Sequence, residues 1–95
     1  MKPNSHRADG NQEKLLKELR KIPGLSVQVV GHLIDQYDLV VGMRGRSYLF
    51  ELKSNEKAKL RESQKNFSRI WTGHWERVET LADIMIAIGL GDKRG

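Results

Sequence analysis

Asp38-Leu39-Val40-Val41-Gly42-Met43-Arg44-Gly45-Arg46-Ser47-Tyr48-Leu49-Phe50-Glu51-Leu52-Lys53 reads as two apolar strands joined by a tight turn. Gly42 to Arg46 carries the glycines and polar residues of a hairpin. With Arg44-Gly45 as a two-residue loop, Met43 faces Arg46, and counting outward sets Val40 against Leu49 and Asp38 against Glu51. Side chains alternate along a strand, so Glu51 and Lys53 share a face, and the three charged groups converge on one patch. A three-residue loop would shift the register by one and, without a bulge, turn Asp38 to the other face.

Strands of this kind are core material, and carboxylates are rarely buried without a partner. Like charges directly opposite one another, with their stems only ~5 Å apart, are destabilising. A divalent cation removes that penalty. Carboxylate and carbonyl oxygens with retained waters suit Mg²⁺, with Mn²⁺ able to substitute, and the ammonium of Lys53 would orient a nucleophilic water or steady developing negative charge. That is an inventory for hydrolysing a phosphodiester. The structural alternative has Asp38 capping a turn and Glu51 and Lys53 forming a same-face ion pair at a sheet edge.

Outward from the hairpin, the chain reads α-β-β-β-α-β-α. Leu15, Leu16, Leu19 and Ile22 form a helical stripe that Pro23-Gly24 ends, and Leu25 to Val30 alternates as a first strand. Gly31 to Gln36 is a loop leading to Asp38, and the polar run Ser54 to Lys59 is a second loop beside the patch. Leu60, Gln64, Phe67 and Trp71 recur at helical spacing with Gly73 as a stop, His74 to Val78 reads as a short strand, and Leu81, Ile84, Met85 and Ile88 stripe a last helix behind a Thr80 cap. Gln64 shares an apolar stripe, so its amide needs a partner, either a buried backbone group or the site.

Asp38, twelve residues, then Glu51-Leu52-Lys53 resembles the core motif of the PD-(D/E)XK nucleases. Within that superfamily the chain looks most like the virus-type replication-repair nuclease (VRR-NUC) domains, related to Holliday junction resolvases. The resemblance spans residues 11–88. It takes in a helix beginning Asn11-Gln12-Glu13, the Asp38 strand, the hairpin, and Gln64 within Leu60-Arg61-Glu62-Ser63-Gln64-Lys65-Asn66-Phe67. It implies a restriction-endonuclease-like core, a mixed central sheet flanked by helices. It also implies that Asp38, Glu51 and the Leu52 carbonyl hold the metal while Lys53 assists the attacking water. Glu13 matches a first-helix acid that some members add to the metal site, though a first-turn acid also suits the helix dipole in any protein. Gln64 matches a polar residue that supports the site, and Tyr37 stands where the family usually has proline.

Ninety-five residues make one small domain, here 11–88 between a mobile 1–10 segment and a frayed 89–95 tail. The 17 Lys and Arg exceed the 12 Asp and Glu, a net charge of +5 that suits a polyanionic partner. Absence of cysteine excludes disulfides, thiolate zinc sites and a cysteine nucleophile. No apolar run is long enough to span a membrane and no signal-peptide pattern is present, so a cytosolic protein, in the host cytoplasm if viral, is expected. Phosphate contacts are expected from Lys57, Lys59, Arg61, Lys65 and Arg69 after the patch and from Arg44 and Arg46 at the hairpin tip. His6, His32 and His74 lack ligand spacing, and Trp71 and Trp75 read as core or interface anchors.

No element is free to read a major groove, so recognition by DNA shape is expected rather than sequence-specific cutting. The resemblance implies a metal-dependent endonuclease that resolves four-way junctions as a homodimer, and a virus, such as a phage, or an integrated element is the expected source. Candidate dimer surfaces are Trp75, Ile70 and the Met85-bearing helix. A flap or nicking nuclease working with a partner protein, and a catalytically idle DNA-binding or assembly module, are the alternatives.

Overall fold

The computed structural model describes residues 4–91, with backbone alone for 4–11. Its elements are α1 (Asn4–Arg20), β1 (Leu25–Val29), β2 (Leu39–Met43), β3 (Arg46–Leu52), α2 (Glu62–Ile70), β4 (His74–Val78) and α3 (Leu81–Ala87). This is a small α/β fold in the expected order. The strands form one mixed sheet in chain order, antiparallel from β1 to β3 and parallel between β3 and β4, with α2 as the crossover that a parallel pair requires.

The hairpin takes the two-residue form. Arg44 and Gly45 have φ of 53° and 79°, the paired positive values of a type I′ turn, and Met43 faces Arg46 while Val40 faces Leu49. The regular pairing ends at Leu39 and Phe50; Asp38 follows as a bend whose N–H donates to the Phe50 carbonyl, which leaves it next to Glu51 rather than in a strand pair with it. Alternation then sorts the sheet. Leu39, Val41, Met43, Tyr48 and Phe50 join Leu16 and Leu19 of α1, Val78, and Ile84 and Ile88 of α3 in one core. Leu49 is buried outside that cluster, on the face it shares with Glu51, Trp75 and Arg77. The site grows from the carboxyl-bearing end of the hairpin, remote from the turn.

Several boundaries differ from expectation; among the strands, β1 ends at Val29 rather than Val30 and β2 begins at Leu39 rather than Asp38. α1 starts at Asn4, not Asn11, so residues 4–10 are helical rather than a separate segment; Gly10, at about 1 kcal/mol relative to Ala, is too weak a breaker to stop it. α2 starts at Glu62, leaving Leu60 in the preceding loop, and it ends at Ile70 because Trp71 is already extended (φ −76°, ψ 125°) ahead of Gly73. The start of the expected tail is ordered as a helix end: the Leu90 and Gly91 N–H groups both donate to the Met85 carbonyl, at 2.8 and 2.9 Å, and Leu90 packs on the core. The rest of the tail, 92–95, lies outside the described residues. α3 has its expected cap, with Thr80 Oγ1 accepting from the Asp83 N–H and Asp83 Oδ2 accepting from the Glu79 and Thr80 N–H groups.

Candidate functional site

β3 runs two residues past the end of β2, and that mismatch shapes the site. The Asp38 carbonyl accepts from the Val30 and Gly31 N–H groups, and the Asp38 N–H donates to the Phe50 carbonyl. The next N–H on β3, that of Leu52, has no strand partner left in β2; Asp38 Oδ2 accepts it at 2.8 Å. One carboxylate oxygen is thereby fixed, and the other lies against Gly31. A Cβ on Gly31 would sit 2.5 Å from Asp38 Oδ1, so only glycine leaves that oxygen its room.

Glu51 is buried on the neighbouring strand. Its Oε2 lies 3.2 Å from Lys53 Nζ, with the side chains 5% and 11% exposed respectively, while Oε1 is buried without a hydrogen-bond partner among the described residues. Burial first, and then the negative charge of Asp38, push the Glu51 carboxyl up to about 7; the Lys53 ammonium opposes the rise. Burial also raises Asp38, against the opposing pull of the Leu52 N–H. Burial is the leading cause in both cases; the mutual repulsion read from the register acts on Glu51 only, while for Asp38 the neighbouring Glu51 side chain pulls the other way by hydrogen bonding.

These groups open into a cavity of about 930 Å³, walled by Asp38, Glu51, Leu52 and Lys53, by Gly31, His32 and Arg61, by Gln12, Lys14, Leu15 and Glu18 of α1, and by Glu79, Thr80 and Leu81 at the start of α3. Asp38, Glu51, Leu52 and Lys53 therefore come together, and Arg61, expected only as a phosphate contact, joins them in the cavity wall. Glu13 does not: it is exposed and faces away from the cavity wall that Gln12 and Lys14 supply. The helical wheel carries the reason, since two residues turn the helix by ~200° and the apolar stripe through Leu15 faces the fold. Among the described residues no three His, Cys, Asp or Glu side chains gather as a metal cage.

Gln64 takes the backbone option. Its Oε1 accepts from the Arg61 N–H at 2.9 Å and its Nε2 donates to the Asp35 carbonyl at 3.0 Å, so the buried amide caps α2 and ties it to the loop before Asp38. Neither atom group faces the cavity. The Asp35 carboxylate adds to the clasp by accepting from Arg61 and Ser63, bonds that lower it below the usual carboxylate range, Ser63 foremost. Arg61, expected as a phosphate contact, is thus engaged by Asp35 at the cavity edge.

The remaining basic candidates spread out. Lys57, Lys59 and Lys65 are exposed. Arg44 and Arg46 sit at the far end of β2 and β3 from the carboxyls, six residues or ~20 Å of strand from Asp38. Arg77, opposite Glu51 on β4, holds the loop after Lys53 through the Asn55 and Ala58 carbonyls, at 2.8 and 2.7 Å, and pairs with Glu79. Trp75 is anchored as expected, donating to the Gln36 carbonyl at 2.9 Å, and Met85 is partly buried against the core. Trp71 is not a core residue: it is exposed, because α2 ends before it. His6 lies where only backbone is described.

Asp35, Gly31 and Arg77 escaped the sequence reading because each acts through backbone groups or close approach across a loop, which no spacing rule encodes. Compared with family models, curated proteins and solved structures, the chain matches none.

Proposed function

We propose that the chain is a metal-dependent DNA endonuclease with a restriction-endonuclease-like core, acting on branched DNA as a homodimer. The observation that carries this reading is the closeness of the Asp38 and Glu51 carboxyls, both lining the cavity, with Glu51 Oε1 buried and without a hydrogen-bond partner among the described residues. A fold gains nothing from two facing carboxyls, since apolar residues of similar volume would be cheaper in that place. The donor set fits a hard divalent cation: two carboxyls and the adjacent Leu52 carbonyl, with water completing the shell, is what Mg²⁺ takes.

Such an ion, when bound, supplies Lewis-acid activation of water and neutralises charge on the scissile phosphate. Asp38, Glu51 and the Leu52 carbonyl would hold it. The bond from the Leu52 N–H orients the Asp38 carboxylate. Lys53 Nζ, anchored on Glu51 Oε2, donates to the attacking water or to a phosphate oxygen and steadies the negative charge that develops there. Gln64 and Asp35 act one step back, holding the loop that presents Asp38. The exposed lysines after Lys53 and the net positive charge favour a phosphate backbone as the partner.

One observation favours the idle-module alternative: Asp38 Oδ2 already has a structural duty on the Leu52 N–H. Cleavage of a labelled four-way junction, beside duplex, single-stranded and flap DNA, separates the readings. With Mg²⁺ or Mn²⁺ and not with EDTA, paired nicks are expected on the junction and are lost in folded Asp38→Asn. Cleavage of flap DNA alone would move the assignment to the partner-dependent nuclease. DNA and metal bound without any cleavage would leave the idle module.

A further inference from the structure

An aromatic row leads away from the site. Tyr37, next to Asp38 in the chain, packs on Phe67 of α2 with ring centroids 5.6 Å apart, and Phe67 stacks on Trp71 at 5.2 Å with the planes only 19° apart. The row ends in solvent, with Trp71 44% exposed. The indole is not loose, however. Gly73 lies against it so closely that a Cβ there would come within 2.8 Å of Trp71 Nε1 and 3.2 Å of Cε2. A large ring held by a stacked neighbour and a glycine, yet left partly open, is a preorganised flat surface. Exposed Ile70 and Leu33 show apolar surface elsewhere, but neither presents a π-face.

We propose that Trp71 is a stacking platform for an unpaired nucleobase of the DNA cut at Asp38 and Glu51. The inference rests on the nuclease reading and narrows its substrate to DNA with unpaired bases near the branch. Charge and chemistry choose this occupant over a second copy of the chain: the protein carries +5, and Lys65 and Arg69 lie on the helix that bears the row. Both lie two residues from the ring-bearing positions, on the other side of the helix, so the charge draws a polyanion to the domain as a whole while the ring supplies the local stacking that single-stranded nucleic acid uses. The spacing also sets a register. From Arg61 at the cavity edge to Trp71 is ten residues of largely helical chain, ~15 Å, about four nucleotides of a stacked strand.

The test titrates wild type, Trp71→Ala, Trp71→Phe and Gly73→Ala with single-stranded DNA, flap DNA and duplex in EDTA, reading anisotropy and tryptophan emission. Single-stranded and flap DNA should quench the wild type, and the quenching should vanish in Trp71→Phe, which keeps most of the affinity. Trp71→Ala should bind both about tenfold more weakly, within the range of one lost base stack, with duplex affinity unchanged. Gly73→Ala, which displaces the indole without deleting it, should behave likewise. An abasic site about four nucleotides from the cut should remove the difference between wild type and Trp71→Ala.

Undiminished affinity in folded Trp71→Ala, or no wild-type quenching at saturating DNA, overturns the stacking site and leaves the nuclease reading intact. A changed molecular mass in Trp71→Ala with unchanged DNA affinity overturns it in favour of self-association. No DNA binding by the wild type overturns both.

Discussion

Asp38 and Glu51 are costly without a cation, and the cost has a sign that pH reveals. The folded-state value of Glu51 is about 7, above the ordinary 4.5 of an unfolded chain, and Asp38 is raised as well. Between these values the folded state holds more protons than the unfolded one, so stability is full below about 4.5 and is lost as pH rises through 7. In EDTA, Tm should fall as pH rises through that window. Glu51→Gln should flatten the profile, and saturating Mg²⁺ should restore the loss at neutral pH; a flat wild-type profile would show that the carboxyls do not repel. Asp38→Asn keeps an acceptor for the Leu52 N–H while removing one charge. In EDTA its Tm should match or exceed the wild type, and metal-dependent cleavage should drop by ~100-fold or more. If it unfolds instead, Asp38 is a structural acceptor first. The closeness of these two residues was legible because the two-residue turn fixes the register from Met43–Arg46 out to Leu39–Phe50, one residue short of the pair; the bend at Asp38, which bonds the Phe50 carbonyl, was not. The Gly31 contact was not, since a loop of irregular path brings that glycine back.

The α2 clasp and the β2–β3 turn make separate demands. Gln64 sits fully buried with both ends of its amide used, so Gln64→Leu leaves the Arg61 N–H and the Asp35 carbonyl unpaired. The cost should be about 2–4 kcal/mol in urea unfolding, with calorimetric Mg²⁺ affinity unchanged at a temperature where the variant is folded. A fall in metal affinity without loss of stability would instead place the amide at the metal. Sequence showed that an amide on an apolar stripe needs a partner, but not which, because the partner is a carbonyl 29 positions away. At the turn, Arg44 holds φ of 53°, a conformation that asparagine tolerates better. Arg44→Asn should stabilise the domain by about 0.5–1 kcal/mol, read as a higher urea midpoint with unchanged slope. The strand order and the parallel β3–β4 pair were implied by the run of three strands, a helix and a strand. The early start of α1 was not, because Gly10 and a polar composition outweighed a helix whose first two turns carry no apolar stripe.

At the scale of the molecule, charge and chemistry lie at opposite ends of the central hairpin, and this separates binding from turnover. The carboxyls and Lys53 occupy one end of β2 and β3; Arg44 and Arg46 occupy the other, ~20 Å away. A duplex arm leaving the cavity along the sheet would meet the tip after roughly half a helical turn, at phosphates that take no part in the reaction. Contacts of that kind add affinity through counterion release and act nearly independently of sequence. Replacing both arginines with alanine should therefore weaken binding of branched and linear duplex alike, and reduce the slope of log affinity against log salt by about 2. kcat at saturating DNA should not change, because neither side chain approaches Asp38, Glu51 or Lys53. An unchanged salt slope would remove the tip from the DNA path and leave it as surface charge. A loss of kcat at saturation, with an altered molecular mass, would instead place the tip in a subunit contact that completes the partner's site.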